Sequence, residues 1–180
     1  MATDGNHYKW LVTGGAGFFG VHMCRGLTQR NEHVISYDAA VFPPEEHIEG
    51  LTTIVGDIRD TDKLRTQLKG VDFVIHAAAA LSLADPSEIQ SVNAEGTRLV
   101  LEAAASAGVK RVVYIGTTAV YGMPKVHPLY EVSPLDPMGP YGIAKAQAER
   151  YCSDAKGVET VRIRPKSFIC LLYTSPSPRD

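Results

Sequence analysis

The chain has 180 residues, 44% hydrophobic and 21% charged, which suits a soluble globular domain with a core of its own. A formal net charge of −2 gives no electrostatic case for nucleic acid or an anionic membrane surface, and no apolar run approaches a membrane span. Cys24, Cys152 and Cys170 fit neither a disulfide framework nor zinc spacing, and MATDGNHYKW has no signal-peptide core, so a reducing, cytoplasmic setting is expected.

Lys9 to Thr13 reads as a strand running into LVTGGAGFFG, and Gly20 to Gln29 as the first helix. His33 to Tyr37 and Leu51 to Val55 read as the second and third strands. A short helix over Asp62 to Leu68 ends before Gly70, and Val71 to His76 is the fourth strand. Pro86 to Ala107, rich in Ala, Leu and Glu, reads as one long helix closed by Gly108. Arg111 to Ile115 is the fifth strand, and residues 122–140, with five prolines, form a surface loop. Tyr141 to Lys156 is a helix and Glu159 to Arg164 the sixth strand. Strands alternating with helices predict a parallel sheet covered on both faces: an α/β, doubly wound, Rossmann-like fold. The apolar strands are those of doubly buried positions, and no domain boundary falls within residues 1–169.

Gly14, Gly17 and Gly20 stand three apart between strand and helix. Glycines there allow a tight turn, close approach of backbone to a pyrophosphate, and close packing of helix on sheet. The helix N-terminus supplies free N–H groups and a positive dipole end. A ligand-free Gly-rich turn is equally expected from the glycines alone. Asp38, at the end of the second strand, changes that balance, because a carboxylate there suits adenosine ribose hydroxyls and repels a 2′-phosphate. Ala39, Ala40 and Val41 follow, placing no Arg to receive such a phosphate, so NAD is favoured over NADP. Asp57, beside Ile58, either accepts from the adenine amino group or caps the next turn. Phe18 and Phe19 are read as packing the first helix, with Phe18 also a candidate cover for the pyrophosphate.

Tyr141 and Lys145 are four apart on a predicted helix and share a face. A Tyr with its usual pKa of roughly 10 is a poor base at neutral pH. A nearby ammonium favours the phenolate and lowers that value. Thr117 follows the fifth strand, at the carboxyl end of the sheet, where its hydroxyl either holds a substrate oxygen or caps a turn. His7, His22, His33, His47, His76 and His127 are scattered without metal spacing and are expected to be structural, with no metal site.

The motifs TGGAGFFG, GDIRD, VIHAAAA, VNAEGT, TTAVYG and YGIAK, in this order, resemble the extended short-chain dehydrogenase/reductase family in its NAD-dependent epimerase/dehydratase branch. The resemblance implies a Thr117–Tyr141–Lys145 triad, with Tyr141 exchanging a proton with substrate and Lys145 holding the nicotinamide ribose and lowering the Tyr141 pKa. It implies that the backbone of Ala77, Ala78 and Ala79 lines the dinucleotide, with Asn93 either near the cofactor or pinning its helix. Dehydratases of this resemblance carry Asp-Glu directly after the Thr, and decarboxylases a Glu two places on. Here Thr118 and Ala119 stand there, which suits an epimerase or a simple alcohol dehydrogenase. The expected activity is epimerisation of a nucleotide sugar through a keto intermediate, by a possible homodimer of the parent protein. The alternatives are dehydrogenation of a sterol-like secondary alcohol and a non-catalytic NAD sensor.

The pattern breaks after Ile169. CLLYTSPSPRD can be encoded by a string resembling a sequencing-library transposase adapter read in one frame. Residues 170–180 are therefore expected to be a non-native tail, and the domain to be truncated before a seventh strand and the substrate-binding region.

Overall fold

The computed structural model describes residues 7–46 and 48–168, so the expected tail at 170–180 lies outside the described residues. Its strands are β1 (Lys9–Thr13), β2 (His33–Asp38), β3 (Thr52–Val55), β4 (Phe73–His76), β5 (Arg111–Ile115) and β6 (Glu159–Ile163). All pair in parallel, in the order β3-β2-β1-β4-β5-β6. The strand order reverses between β1 and β4, and an open parallel sheet leaves a crevice at such a point, beyond the carboxyl ends of its strands.

Leu11 and Val12 show why the central strands are apolar throughout. Neighbours on a strand face opposite sides of the sheet, yet both are 0% exposed. Leu11 packs with Leu64, Val100 and Ala148, from helices α2 (Thr61–Gln67), α4 (Thr97–Ser106) and α5 (Gly139–Asp154). Val12 packs on the other side with Cys24 and Leu27 of helix α1 (Phe18–Thr28). Burial of each such side chain stabilises by about 1.5–3 kcal/mol. The doubly buried expectation fails at the sheet edges, where Thr52, Thr53 and Val55 of β3 and Val161 and Ile163 of β6 are exposed.

All four predicted helices differ from the sequence reading, α2 only by a shift of one residue. α1 begins at Phe18, two residues earlier than expected, because Gly17 is already its N-cap. α5 begins at Gly139, with Pro140 in its first turn, and ends at Asp154, where Ala155 turns to extended backbone. The long helix predicted over 86–107 is interrupted. A short helix α3 (Pro86–Ile89), capped by Asp85, gives way to a π-helical stretch over Gln90–Gly96 before α4. Tertiary contacts hold this widened turn. Asn93 bonds to Ala80 with both side-chain polar atoms, and a Cβ at Gly96 would lie 2.6 Å from Ile58 Cδ1. Helix propensity carries no signal for an extra residue per turn, and such bulges gather at functional sites.

Candidate active site

A cavity of about 650 Å³ opens at the switch point. Of the sequence candidates it gathers Gly14, Gly17, Phe18, Phe19, Gly20, Asp38, Asp57, Ile58, Ala77, Ala78, Ala79, Tyr141 and Lys145 along its walls. Thr117 and Asn93 are not among its lining residues.

The glycine loop is built by contact. Gly14 has φ +69°, and a Cβ there would lie 2.6 Å from Ala78 N. A Cβ at Gly20 would lie 2.0 Å from Gly14 O. Protein packing therefore demands glycine at both. At Gly17 it does not, since an added Cβ would meet only Gly14 O at 3.4 Å. The space kept clear at Gly17 is on the cavity side, at a helix N-terminus without a side-chain cap, where first-turn N–H groups remain free for an anion. Phe18 and Phe19 sit in that first turn, Phe18 edge-on to His22 and Phe19 against Phe168.

Asp38 is fixed from two sides. One carboxylate oxygen accepts from Ala16 N at 3.0 Å and the other from Ala40 N at 2.8 Å. Each oxygen keeps a further lone pair for a ligand hydroxyl. Asp57 accepts a two-pronged contact from Arg59, with Nε at 2.9 and 3.1 Å and Nη2 at 2.5 Å. That guanidinium holds the Asp57 carboxyl below its usual range. Arg59 also lines the cavity, beside Asp57, whereas Ala39, Ala40 and Val41 follow Asp38 as the sequence reading noted. Its fork is engaged by Asp57, with Nη1 on Ser91 Oγ at 3.2 Å.

Lys145 is 2% exposed, with Nζ donating to Ile115 O at 2.9 Å and lying 4.7 Å from the Tyr114 ring centre. Burial brings its pKa down to about 8. Tyr141 is half-buried, and burial raises its pKa. The sequence reading expected Lys145 to lower it; in the protein alone the shift runs the other way, through desolvation of the phenol. Thr117 N-caps a 3-10 turn (Thr118–Tyr121), its hydroxyl accepting from Ala119 N at 3.1 Å. Of the two roles open to it, capping is the one observed, and its hydroxyl proton is still available to a ligand. Asn93 neither lines the cavity nor merely pins its helix. It accepts from Ala80 N at 2.7 Å and donates to Ala80 O at 3.0 Å, fixing the strip after β4.

Sequence reasoning missed two buried features. Glu149 follows Lys145 by four residues on α5, extending the Tyr141–Lys145 stripe, and is 2% exposed. Arg164 holds it with Nε at 2.9 and 3.0 Å and Nη2 at 2.6 Å, and its Nη1 reaches Tyr121 Oη and Glu131 O. The i+4 spacing was a signal for Glu149, whereas nothing local marks Arg164 as its partner. The second feature is a chain of bonds through His76. Among the described residues, no helix is long and apolar enough to cross a membrane, and no group of three or more His, Cys, Asp or Glu could hold a metal ion.

The family model for the NAD dependent epimerase/dehydratase family matches residues 10–174. The chain belongs to this family. Within the epimerase/dehydratase family it is 33% identical over 179 residues to a UDP-glucose 4-epimerase of Halalkalibacterium halodurans, covering 94% of this chain and 51% of that protein. A 3-beta-hydroxysteroid dehydrogenase of Mycolicibacterium neoaurum is 36% identical over 118 residues, covering 61% of this chain and 32% of that protein. Bordetella bronchiseptica WbmG in complex with NAD superposes with a TM-score of 0.83 at 30% identity, covering 91% of this chain and 55% of WbmG. The chain spans about half the length of the curated relatives it matches. The epimerase/dehydratase cofactor fits these residues on the chain's own geometry. Gly17 leaves room on the cavity side, a capless helix end faces it, and Asp38 keeps free lone pairs at the carboxyl end of the neighbouring strand β2.

Proposed function

We propose that this chain is the dinucleotide-binding part of an NAD-dependent epimerase acting on a nucleotide sugar such as UDP-glucose. The observation that carries the reading is convergence. One cavity brings together the glycine loop, the Asp38 carboxylate and the Tyr141–Lys145 pair, which lie far apart in sequence. Bound there, NAD would supply a hydride acceptor and donor. Asp38 would accept from the adenosine ribose, and the free N–H groups at the start of α1 would face the pyrophosphate. Lys145, already donating to Ile115 O, would turn its remaining protons to the nicotinamide ribose. Tyr141 would take the proton from a sugar hydroxyl and return it, with Thr117 holding the same substrate oxygen. Thr118 and Ala119 supply no extra acid or base for water elimination, which supports epimerisation over dehydration. The steroid dehydrogenase relative favours a second reading, oxidation of a secondary alcohol by the same proton-transfer pair. The sequence-based expectation of a cytoplasmic homodimer belongs to the same proposal.

The test is a product assay on a gene product of the relatives' full length carrying this domain. Supplied with NAD and UDP-glucose, it should form the C4 epimer, followed by the anomeric proton signal, without net accumulation of NADH. Net NADH with a hydroxysteroid, and no turnover of the sugar nucleotide, would replace the epimerase reading with the second one.

A further inference from the structure

A buried chain of hydrogen bonds runs beneath the cavity. Ala78 N donates to Thr13 Oγ1 at 3.3 Å, and Thr13 Oγ1 lies 2.7 Å from His76 Nδ1. His76 Nε2 lies 3.0 Å from Thr97 Oγ1, and Thr97 Oγ1 donates to Asn93 O at 2.7 Å. Asn93 then clamps Ala80 at N and O. Thr13 is 0% exposed, and His76, Asn93 and Thr97 are each 1% exposed.

The directions are fixed from one end. A backbone carbonyl can only accept, so the Thr97 proton goes to Asn93 O. Thr97 Oγ1 then has only lone pairs to offer His76, and Nε2 must carry the ring proton. Nδ1 of the neutral ring is bare and accepts from Thr13, whose oxygen is left to accept from Ala78 N. Both ring nitrogens and both hydroxyls then have matched partners, and no other arrangement of the neutral ring satisfies the chain. The charged and titratable groups facing His76 are Lys145 of α5, whose charge disfavours a second cation, and Tyr114 of β5, whose ring centre lies 5.7 Å away. Burial and Lys145 together bring the His76 pKa down to about 3.

Both ends of this chain lie on the Ala77–Ala80 wall of the cavity, and its Thr13 link ties that wall to the glycine loop. Thr13 directly precedes Gly14, and Ala78 and Ala80 belong to the facing strip. Gly14 and Ala78 are in such close contact that no Cβ fits between them. We propose that His76 is a positioning residue for the dinucleotide: as the neutral Nε2–H tautomer, it locks the glycine loop, the Ala77–Ala80 strip and the Asn93 π-turn into one register. This role goes beyond the reaction groups and rests on the NAD reading above. Its chemistry is uncharged, so it sets geometry without adding a charge beside Lys145.

Two measurements on the chain test it. Nitrogen-15 NMR of the unmutated protein should show His76 as the Nε2–H tautomer, with no titration between about pH 5 and 8. An Nδ1–H tautomer, or a midpoint in that window, would overturn the proposal without any variant. Calorimetric titration with NAD should then show Thr97→Val, which keeps the side-chain shape but removes the hydroxyl, weakening binding about tenfold. Thr97→Ser, which keeps the hydroxyl, should bind within about threefold of the unmutated chain. Unchanged NAD affinity in Thr97→Val would overturn the positioning role alone. No NAD binding by the unmutated chain would bring down the functional reading, and the positioning role with it.

Discussion

Replacing Tyr141 by phenylalanine in a gene product of the relatives' full length should cut turnover by about 10²–10⁴ while leaving NAD affinity within a few-fold. The ring is half-buried, so its packing is kept and only the hydroxyl is lost. Cofactor-side groups are held independently of that hydroxyl, Lys145 by Ile115 O and Asp38 by Ala16 N and Ala40 N. Turnover and NAD binding should therefore separate cleanly. The comparison is kcat against the calorimetric Kd for NAD. Turnover within a few-fold of the unmutated protein would remove Tyr141 from the proton-transfer role.

Arg164→Ala should have the largest effect on stability, a loss of about 3–5 kcal/mol. The Arg164 side chain is 17% exposed and that of Glu149 2%, so deletion of the guanidinium strands a buried carboxylate. It also strips partners from Tyr121 Oη and Glu131 O, which fasten the 3-10 turn after β5 to the loop before α5. Domains are stable by about 5–15 kcal/mol, so this one change would remove a large share. Replacing both partners, Arg164→Met with Glu149→Leu, should cost far less, because no charge is left behind. Urea melts of the three proteins check this. A loss under about 1 kcal/mol in Arg164→Ala, the scale of an ordinary substitution, would contradict the account of the clamp.

The parts of this fold legible in the sequence were those with local causes. Strand period, the Gly14–Gly17–Gly20 spacing and the Tyr141–Lys145 spacing each depend on neighbours along the chain. From them the parallel sheet and most of the cavity wall could be read. The π-turn over Gln90–Gly96 could not be read, because it is set by Ala80 and Ile58 from other segments. Thr117 shows the same limit. Its position after β5 was legible, but whether its hydroxyl faces the cavity depends on a turn that the sequence pattern does not specify. Arg59 stands two residues after Asp57, and its presence in the cavity follows from folding back onto that carboxylate. Arg164 and Glu149 are fifteen residues apart in sequence, and their pairing exists only once β6 lies beside β5.

The central claim is that the cavity at the β1–β4 switch point takes NAD, with Asp38 reading the adenosine ribose. The most direct measurement is calorimetric titration of the chain with NAD and with NADP, repeated on Asp38→Ala. The account predicts one site per chain and NAD bound at least about tenfold tighter than NADP, roughly 1.4 kcal/mol, with the gap narrowed in Asp38→Ala. Equal affinity for the two dinucleotides in the unmutated chain, or no binding of either, would contradict it.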